Sequence, residues 1–256
     1  MIRRLFSAFA AAPIDAPRGL VPDGQRIYAV GDIHGRLDLL DDLLDRIAAD
    51  ERTRPVSAVS LIFLGDLIDR GPQSAQVVQR LLDLSRDHAG VRFLMGNHEE
   101  VFLKALAGEQ GALSFFLRIG GDATMLSYGV EEAQLAGADP AALHALMQAH
   151  VPADHGAFIE KFEDMIVIGD YAFVHAGVSP RVPFARQSTS ALRWVRDEFL
   201  NHGKALEKIV VHGHTISEDV EQAIHRVGLD TGAYASGRLT AMGFESDARW
   251  VIQTGA

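Results

Sequence analysis

The stretch Val59-Ser60-Leu61-Ile62-Phe63-Leu64-Gly65-Asp66-Leu67-Ile68-Asp69-Arg70-Gly71 decides how the rest of the chain is read. Its first six residues are mostly β-branched, aliphatic or aromatic, as in a buried strand, and Gly65 reads as the turn that ends it. Two carboxylates and a guanidinium follow within five residues, Asp66 to Arg70. Charges at the mouth of a buried strand are costly unless they are paired or hold a metal. On this segment alone two readings stand side by side: a metal or substrate loop, or a surface loop in which Asp69 and Arg70 form a solvated ion pair.

The flanking sequence repeats the same grammar. Ile27-Tyr28-Ala29-Val30 ends at Gly31-Asp32-Ile33-His34-Gly35, and Val91-Arg92-Phe93-Leu94-Met95 is closed by Gly96-Asn97-His98-Glu99. Further on, Tyr171-Ala172-Phe173-Val174 delivers His175-Ala176-Gly177, and Lys208-Ile209-Val210-Val211 leads into His212-Gly213-His214-Thr215. Glycine lets the backbone turn sharply and approach a ligand, and side chains at strand ends are fixed by a packed core before any metal arrives. Taken singly, each has an ordinary reading, a core histidine or an asparagine in a turn. Five strand ends carrying Asp, His or Asn fit coincidence poorly.

Between the strands, Leu37, Leu40, Leu43, Leu44 and Ile47 recur at the helical period, as do Val77, Val78, Leu81 and Leu82. Strand, helix, strand, helix, strand is an α/β rhythm. From about 100 to 164 the pattern becomes several short helices, broken at Gly120-Gly121 and around Gly137 to Pro140, and reads as a helical insertion on a single domain spanning 26–256. The β pattern resumes with a hairpin, Met165–Ile168 and Tyr171–Val174 about a Gly169-Asp170 turn. One helix is expected around Leu192 to Leu200, carrying Trp194 and Arg196. Three C-terminal strands are expected, at His225–Leu229, Arg238–Phe244 and Ala248–Ile252. Residues 1–25 read as a tail: Met1 to Ala12 as a short amphipathic helix or frayed end rather than the weak signal peptide it resembles, Pro13 to Gln25 as linker.

Composition narrows the chemistry. The 256 residues carry 24 basic and 34 acidic side chains, a net charge of −10, which argues against nucleic acid as a partner. It leaves a phosphorylated substrate open, because a metal can supply local positive charge. With no cysteine, a metal must bind through His, Asp, Glu or Asn, and a reducing, cytoplasmic setting fits. No apolar run reaches the roughly 20 residues of a membrane-spanning helix.

The three motifs Gly31–Gly35, Gly65–Gly71 and Gly96–Glu99, in this order and spacing, together with His175-Ala176-Gly177 and Gly213-His214-Thr215, resemble the signature of the phosphoprotein phosphatase family of metallophosphoesterases. The resemblance runs from about Arg26 to Ile252, loosely over 100–165, and is nearest to bacterial and bacteriophage serine/threonine protein phosphatases. It implies the calcineurin-like fold, α/β, with two mixed sheets packed face to face between helices. It implies two divalent metal ions, manganese first, iron or zinc next. Asp32 and His34 would hold one ion, Asn97, His175 and His214 the other, with Asp66 bridging. A water bridging the metals would attack phosphorus directly, with His98 as general acid oriented by Asp69.

By the same resemblance Arg70 and Arg196, with Asn97, bind the phosphate; Arg196 rests on the Trp194-Val195-Arg196 pattern, with a helix-surface arginine as the lesser reading. Glu99 is expected to be structural. His212 competes with His214, since on one strand both would point the same way; the Gly-His-Thr pattern favours His214. The segments Asp230–Ala233 and Gly237–Ala241 resemble those of bacterial relatives that include symmetrical diadenosine tetraphosphate hydrolases. The expected activity is therefore metal-dependent hydrolysis of phosphomonoesters, foremost as a serine/threonine protein phosphatase, acting on a phosphorylated protein or small phosphoester, and a monomer is expected. The alternatives are a dinucleoside polyphosphate substrate or a non-catalytic phosphopeptide-binding module.

Overall fold

Gln25–Val30 forms β1, and the alternation of its side chains sets the layers of the molecule. Ile27 and Ala29 enter a core shared with a second sheet, while Tyr28 and Val30 enter a core shared with helices. Apolar residues on both faces are what a central, doubly covered strand requires. The computed structural model describes residues 17–255, so the expectations for Met1 to Ala12 lie outside the described residues.

After β1 come α1 (Leu37–Arg52), β2 (Ala58–Phe63), α2 (Ser74–Asp87), β3 (Val91–Phe93) and α3 (Asn97–Leu106). The helical stretch continues through α4 (Ala112–Phe116), a kinked turn (Leu117–Gly121) broken at Gly120 (φ 108°), α5 (Asp122–Ser127), α6 (Glu132–Leu135), α7 (Pro140–His150) and α8 (Ala153–Ile159). Then follow β4 (Met165–Ile168), β5 (Tyr171–Val174), α9 (Thr189–Trp194), α10 (Asp197–Leu200), β6 (Ile209–His212), β7 (Glu221–Gln222) and β8 (Arg226–Gly228). α11 (Ala233–Ser236), β9 (Thr240–Glu245) and β10 (Ala248–Gln253) close the described chain. Among the described residues no helix is long and apolar enough to cross a membrane.

Both sheets are mixed, ordered β10-β9-β1-β2-β3 and β4-β5-β6-β8-β7. β1, β2 and β3 run parallel in the first, β5, β6 and β8 in the second, with antiparallel strands outside them. Ile27, Ile62 and Leu64 of one sheet pack with Phe173, Val211 and Leu229 of the other, all fully buried. Each such side chain contributes roughly 1.5–3 kcal/mol on burial, so this core holds the strand ends rigidly. The two-sheet α/β architecture is the one the motif resemblance implied.

Three local readings change. The single helix expected over Leu192 to Leu200 is two short ones, because Val195 is extended (φ −62°, ψ 144°) and Arg196 restarts the chain as the cap of α10. Tertiary anchors outweigh helix propensity here: Trp194 Nε1 donates to Glu100, and Arg193 pairs with Asp164 at 2.7 Å. The C-terminal part holds the three expected strands and also β7, a two-residue pairing with β8 that is too short to show in sequence. In the stretch read as linker, the Gly19 and Leu20 N–H groups donate to Asp170 at 3.1 Å, and buried Val21 donates to the Ser246 carbonyl at 2.8 Å.

Candidate active site

The parallel strands of both sheets deliver their following residues to one place. β1 leads to Asp32 and His34, β2 to Asp66, β3 to Asn97 and His98, β5 to His175, and β6 to His214. Tight turns are needed for this convergence. Six described non-glycine residues have left-handed backbone, and five of them, His34, Asp66, Asp69, Arg70 and His214, lie in these loops. Such conformations cost on the order of 1–3 kcal/mol each and persist where surrounding structure imposes them. Gly65 shows why the turn after β2 needs glycine: its φ is +96°, and a Cβ there would lie 2.7 Å from the Gly96 nitrogen.

Glu99 is the clamp for the Gly65–Gly71 loop. Its buried carboxylate accepts from the N–H groups of Asp66 (2.8 Å), Leu67 (2.8 Å), Ile68 (3.4 Å) and its own turn at Gly96 (3.1 Å). Burial and the neighbouring Asp66 charge push its pKa up to about 7. The structural role expected for Glu99 thus takes a definite form: it orients Asp66.

Asp66 stands at the centre. Its Oδ2 is 3.7 Å from His34 Nε2 and 3.8 Å from His98 Nε2, while Oδ1 is 3.3 Å from His175 Nε2. Two three-residue groups share it: His34, Asp66 and His98, and Asp66, His175 and His214, each with candidate ligand atoms within 4.8 Å of one another. Nδ1 of His34 donates to the Ile68 carbonyl at 2.7 Å and Nδ1 of His175 to the Leu64 carbonyl at 2.8 Å, so that in the neutral ring Nε2 carries the lone pair on the side of Asp66. Asn97 Oδ1 lies 3.0 Å from His175 Nε2, and Asp32 Oδ2 accepts from the His214 N–H at 3.0 Å.

Electrostatics follow from this burial. Burial lowers the His34 pKa to about 3 and drives that of His214 far down, with the His175 charge adding to the latter. Burial raises Asp66, but His175 and His98 outweigh it and hold the carboxylate well below its ordinary range. Burial and the charges of Asp230 and Asp66 push Asp32 well up. Buried Asp32 Oδ1, His34 Nε2 and His214 Nε2 have no hydrogen-bond partner. An unsatisfied buried polar atom costs about 1–3 kcal/mol, and three around one carboxylate are relieved together by cations. The oxygen and nitrogen donor set fits divalent metals.

Beside this cluster, His98 Nδ1 bonds Asp69 Oδ2 at 2.6 Å and Nε2 lies 3.1 Å from Arg70 Nη2. Burial and Arg70 work against a charge on His98, but Asp66 and Asp69 outweigh them and leave its pKa raised. Arg70 is exposed, on the solvent side of His98. Arg196, also exposed, lies at the α9–α10 break, and its charge bears on His214. The competition between His212 and His214 is resolved by the backbone. β6 ends at His212, which packs against Phe199 (5.1 Å between rings), and the chain reverses so that His214 turns into the site. The two side chains do not point the same way, because only His212 is on the strand.

Two neighbours escaped sequence reasoning. Asp230 follows β8 and is buried against Asp32, a sixth instance of the strand-end grammar, inside a segment singled out only for its likeness to bacterial relatives. Tyr234, on α11, lies with its ring centroid 4.8 Å from the Arg70 guanidinium carbon and 5.4 Å from the His34 ring. Nothing in a lone tyrosine after a glycine turn signals this.

Fold and site together define a metal-dependent phosphoesterase. The chain belongs to the calcineurin-like phosphoesterase family, whose pattern matches residues 25–233. It is 28% identical over 224 residues to serine/threonine-protein phosphatase 2 of Escherichia coli, covering 84% of this chain and 91% of that one. It is 42% identical over 82 residues to a symmetrical bis(5'-nucleosyl)-tetraphosphatase of an Acidovorax strain, covering 32% of this chain and only 26% of that one. A solved structure provisionally described as a diadenosine tetraphosphatase superposes with a TM-score of 0.62 at 24% identity, over 92% of this chain and 97% of that one; that likeness bears on the fold alone.

Proposed function

We propose that this chain hydrolyses phosphomonoesters of alcohols, foremost phosphoserine and phosphothreonine in proteins, with two divalent ions, manganese first. The observation that carries the reading is the buried His98–Asp69 contact of 2.6 Å beside Asp66. An alkoxide is a poor leaving group and needs a proton as the P–O bond breaks. A histidine whose pKa is raised by two carboxylates, next to a phosphate-sized arginine fork, is suited to give it. The long alignment with the E. coli serine/threonine phosphatase supports the same substrate class.

In this reading Asp32, His34 and Asp66 would hold one ion, and Asp66, Asn97, His175 and His214 the other. Bound ions would polarise phosphoryl oxygens and lower the pKa of a water between them. The chain's own groups do the rest. Arg70 and Arg196 grip the phosphoryl oxygens, for which a planar guanidinium is well shaped. Phosphate binding draws Arg70 away from His98 Nε2, which then faces the leaving oxygen. Asp69 holds the imidazole through Nδ1 and balances its charge. Glu99 keeps the loop, and so Asp66, in place.

A second reading keeps the site and changes the substrate to a dinucleoside polyphosphate. Tyr234 favours it, since an aromatic face beside Arg70 can stack on a nucleobase next to a bound phosphate. Purified protein with manganese, assayed side by side on a phosphoserine peptide and on diadenosine tetraphosphate, separates the two. Higher kcat/KM on the peptide is expected; preference for the dinucleotide overturns the first reading. Full activity after His98→Asn or after chelation overturns both.

A further inference from the structure

The helical insertion reaches into the catalytic loop. Thr124, on α5, is fully buried and touches no surface from which substrate could approach. Its hydroxyl donates to Asp69 Oδ1 at 2.7 Å, on the side of the carboxylate opposite His98. The Asp69 N–H points between Thr124 Oγ1 (2.9 Å) and Ser74 Oγ (3.0 Å), and those two hydroxyl oxygens are themselves 3.0 Å apart. One consistent proton arrangement satisfies all four contacts: Ser74 donates to Thr124, Thr124 to Asp69, and the Asp69 amide to both. α5 is anchored in turn, because Ser127 Oγ donates to the Thr124 carbonyl (2.7 Å) and accepts from the Ala75 N–H at the start of α2 (3.0 Å). From the adjacent kinked turn, the Gly120 carbonyl accepts from the Arg70 N–H at 3.0 Å.

We propose that Thr124 is a positioning residue for phosphoryl transfer, holding Asp69 so that the carboxylate presents Oδ2 to His98. The inference rests on His98 being the acid. Each Asp69 oxygen has one strong partner, His98 on Oδ2 and Thr124 on Oδ1. Removing the hydroxyl leaves Oδ1 buried with no donor, which favours rotation of the carboxylate away from the imidazole. Asp69 has left-handed backbone (φ 71°), so the side chain's aim depends on its neighbours rather than on a relaxed local conformation. The insertion is thereby part of the catalytic apparatus.

The test uses the full chain with manganese and two substrates, nitrophenyl phosphate, whose leaving group departs unaided, and a phosphoserine peptide, whose leaving group needs the proton. Thr124→Val is expected to lower kcat on the peptide about tenfold, a fraction of the roughly 10²–10⁴-fold that an acid supplies. KM and kcat on nitrophenyl phosphate stay within about threefold, and Thr124→Ser restores the peptide rate. If the valine variant does not fold, Thr124→Cys, a weak donor of similar size, replaces it with the same expected order. Equal losses on both substrates, no loss on either, or no recovery with serine overturns the proposal. His98→Asn runs in parallel. If it shows the leaving-group dependence and Thr124→Val does not, Thr124 has no positioning role; if His98→Asn lacks it, the assignment of the acid fails and the inference falls with it.

Discussion

Asp69 Oδ2 sits 2.6 Å from His98 Nδ1, with both side chains buried. The contact fixes the ring so that its other nitrogen faces Arg70 and Asp66. Asp69→Asn keeps the shape but removes the charge that helps hold the imidazole protonated. The expected outcome is a fall in kcat on a phosphoserine peptide of about 10²-fold, with KM and metal content close to wild type. A variant that loses metal instead would place Asp69 in the metal site, contrary to its position behind His98.

Arg70 lies in the same loop but is exposed, its guanidinium between His98 and the Tyr234 ring. Arg70→Ala removes a charge-assisted, two-pronged contact to phosphate, worth roughly 1.5–3 kcal/mol. KM and the inhibition constant for inorganic phosphate should both rise tenfold or more, on the order that such a contact predicts. Stability should move by less than about 0.5 kcal/mol, since the side chain is at the surface. Unchanged phosphate inhibition would remove Arg70 from the substrate site.

How much of this was legible in the sequence depended on distance along the chain. Gly31–Gly35, Gly65–Gly71 and Gly96–Glu99 are local motifs, each a strand end with its candidate side chains, so Asp32, His34, Asp66, Asn97 and His98 could be singled out directly. That they meet at one point is a property of parallel strands in two facing sheets, and it came from the motif resemblance rather than from periodicity. Asp230 follows the same rule, at the end of the strand expected over His225–Leu229, but its segment is rich in turn residues and an aspartate there reads as part of the turn. Thr124 and Ser74 carry no signal, because a buried hydroxyl in a helix looks like any other threonine or serine until the chain is folded. The helical pattern of Leu192 to Leu200 puts Arg196 on a helix; the break arises from contacts of Arg193 and Trp194 with residues 29 and 94 positions away, respectively.

Asp66 offers one oxygen to each group of histidines, and that division makes metal stoichiometry a sharp readout. Asp66→Asn keeps a single ligand oxygen, so bound manganese should fall from about two ions per chain to one or none, with activity lost. Chelation of the wild type should abolish activity and lower the thermal midpoint. At 100 times the dissociation constant a bound ion stabilises by about 2.7 kcal/mol, and a chain of this size shifts roughly 2–4 °C per kcal/mol. A fall of about 5–10 °C on chelation is therefore expected for each such ion. Two ions retained in Asp66→Asn would show that the carboxylate does not bridge.

His212 gives the remaining expectation, on stability rather than turnover. Its ring is buried with Nε2 unpartnered, packed against Phe199, and burial lowers its pKa to about 4. In the unfolded chain the value is about 6.5. Between those two pH values the unfolded state therefore binds a proton that the folded state refuses. The stabilising contribution is complete above pH about 6.5 and is lost on acidification, by about 1.4 kcal/mol per pH unit, until the folded form itself protonates. His225, also lowered by burial, adds to the slope with the same sign, as His34 and His214 do without metal. Urea unfolding of the chelated protein at several pH values between 4.5 and 7 should consequently show a slope shallower by about 1.4 kcal/mol per unit in His212→Leu than in wild type. The offset at pH 7 is free to take either sign, because leucine loses a hydrogen bond to the Gly213 carbonyl and gains an apolar contact with Phe199. Parallel curves would mean that His212 is protonated inside the fold, with an acceptor for its Nε2 that this arrangement lacks.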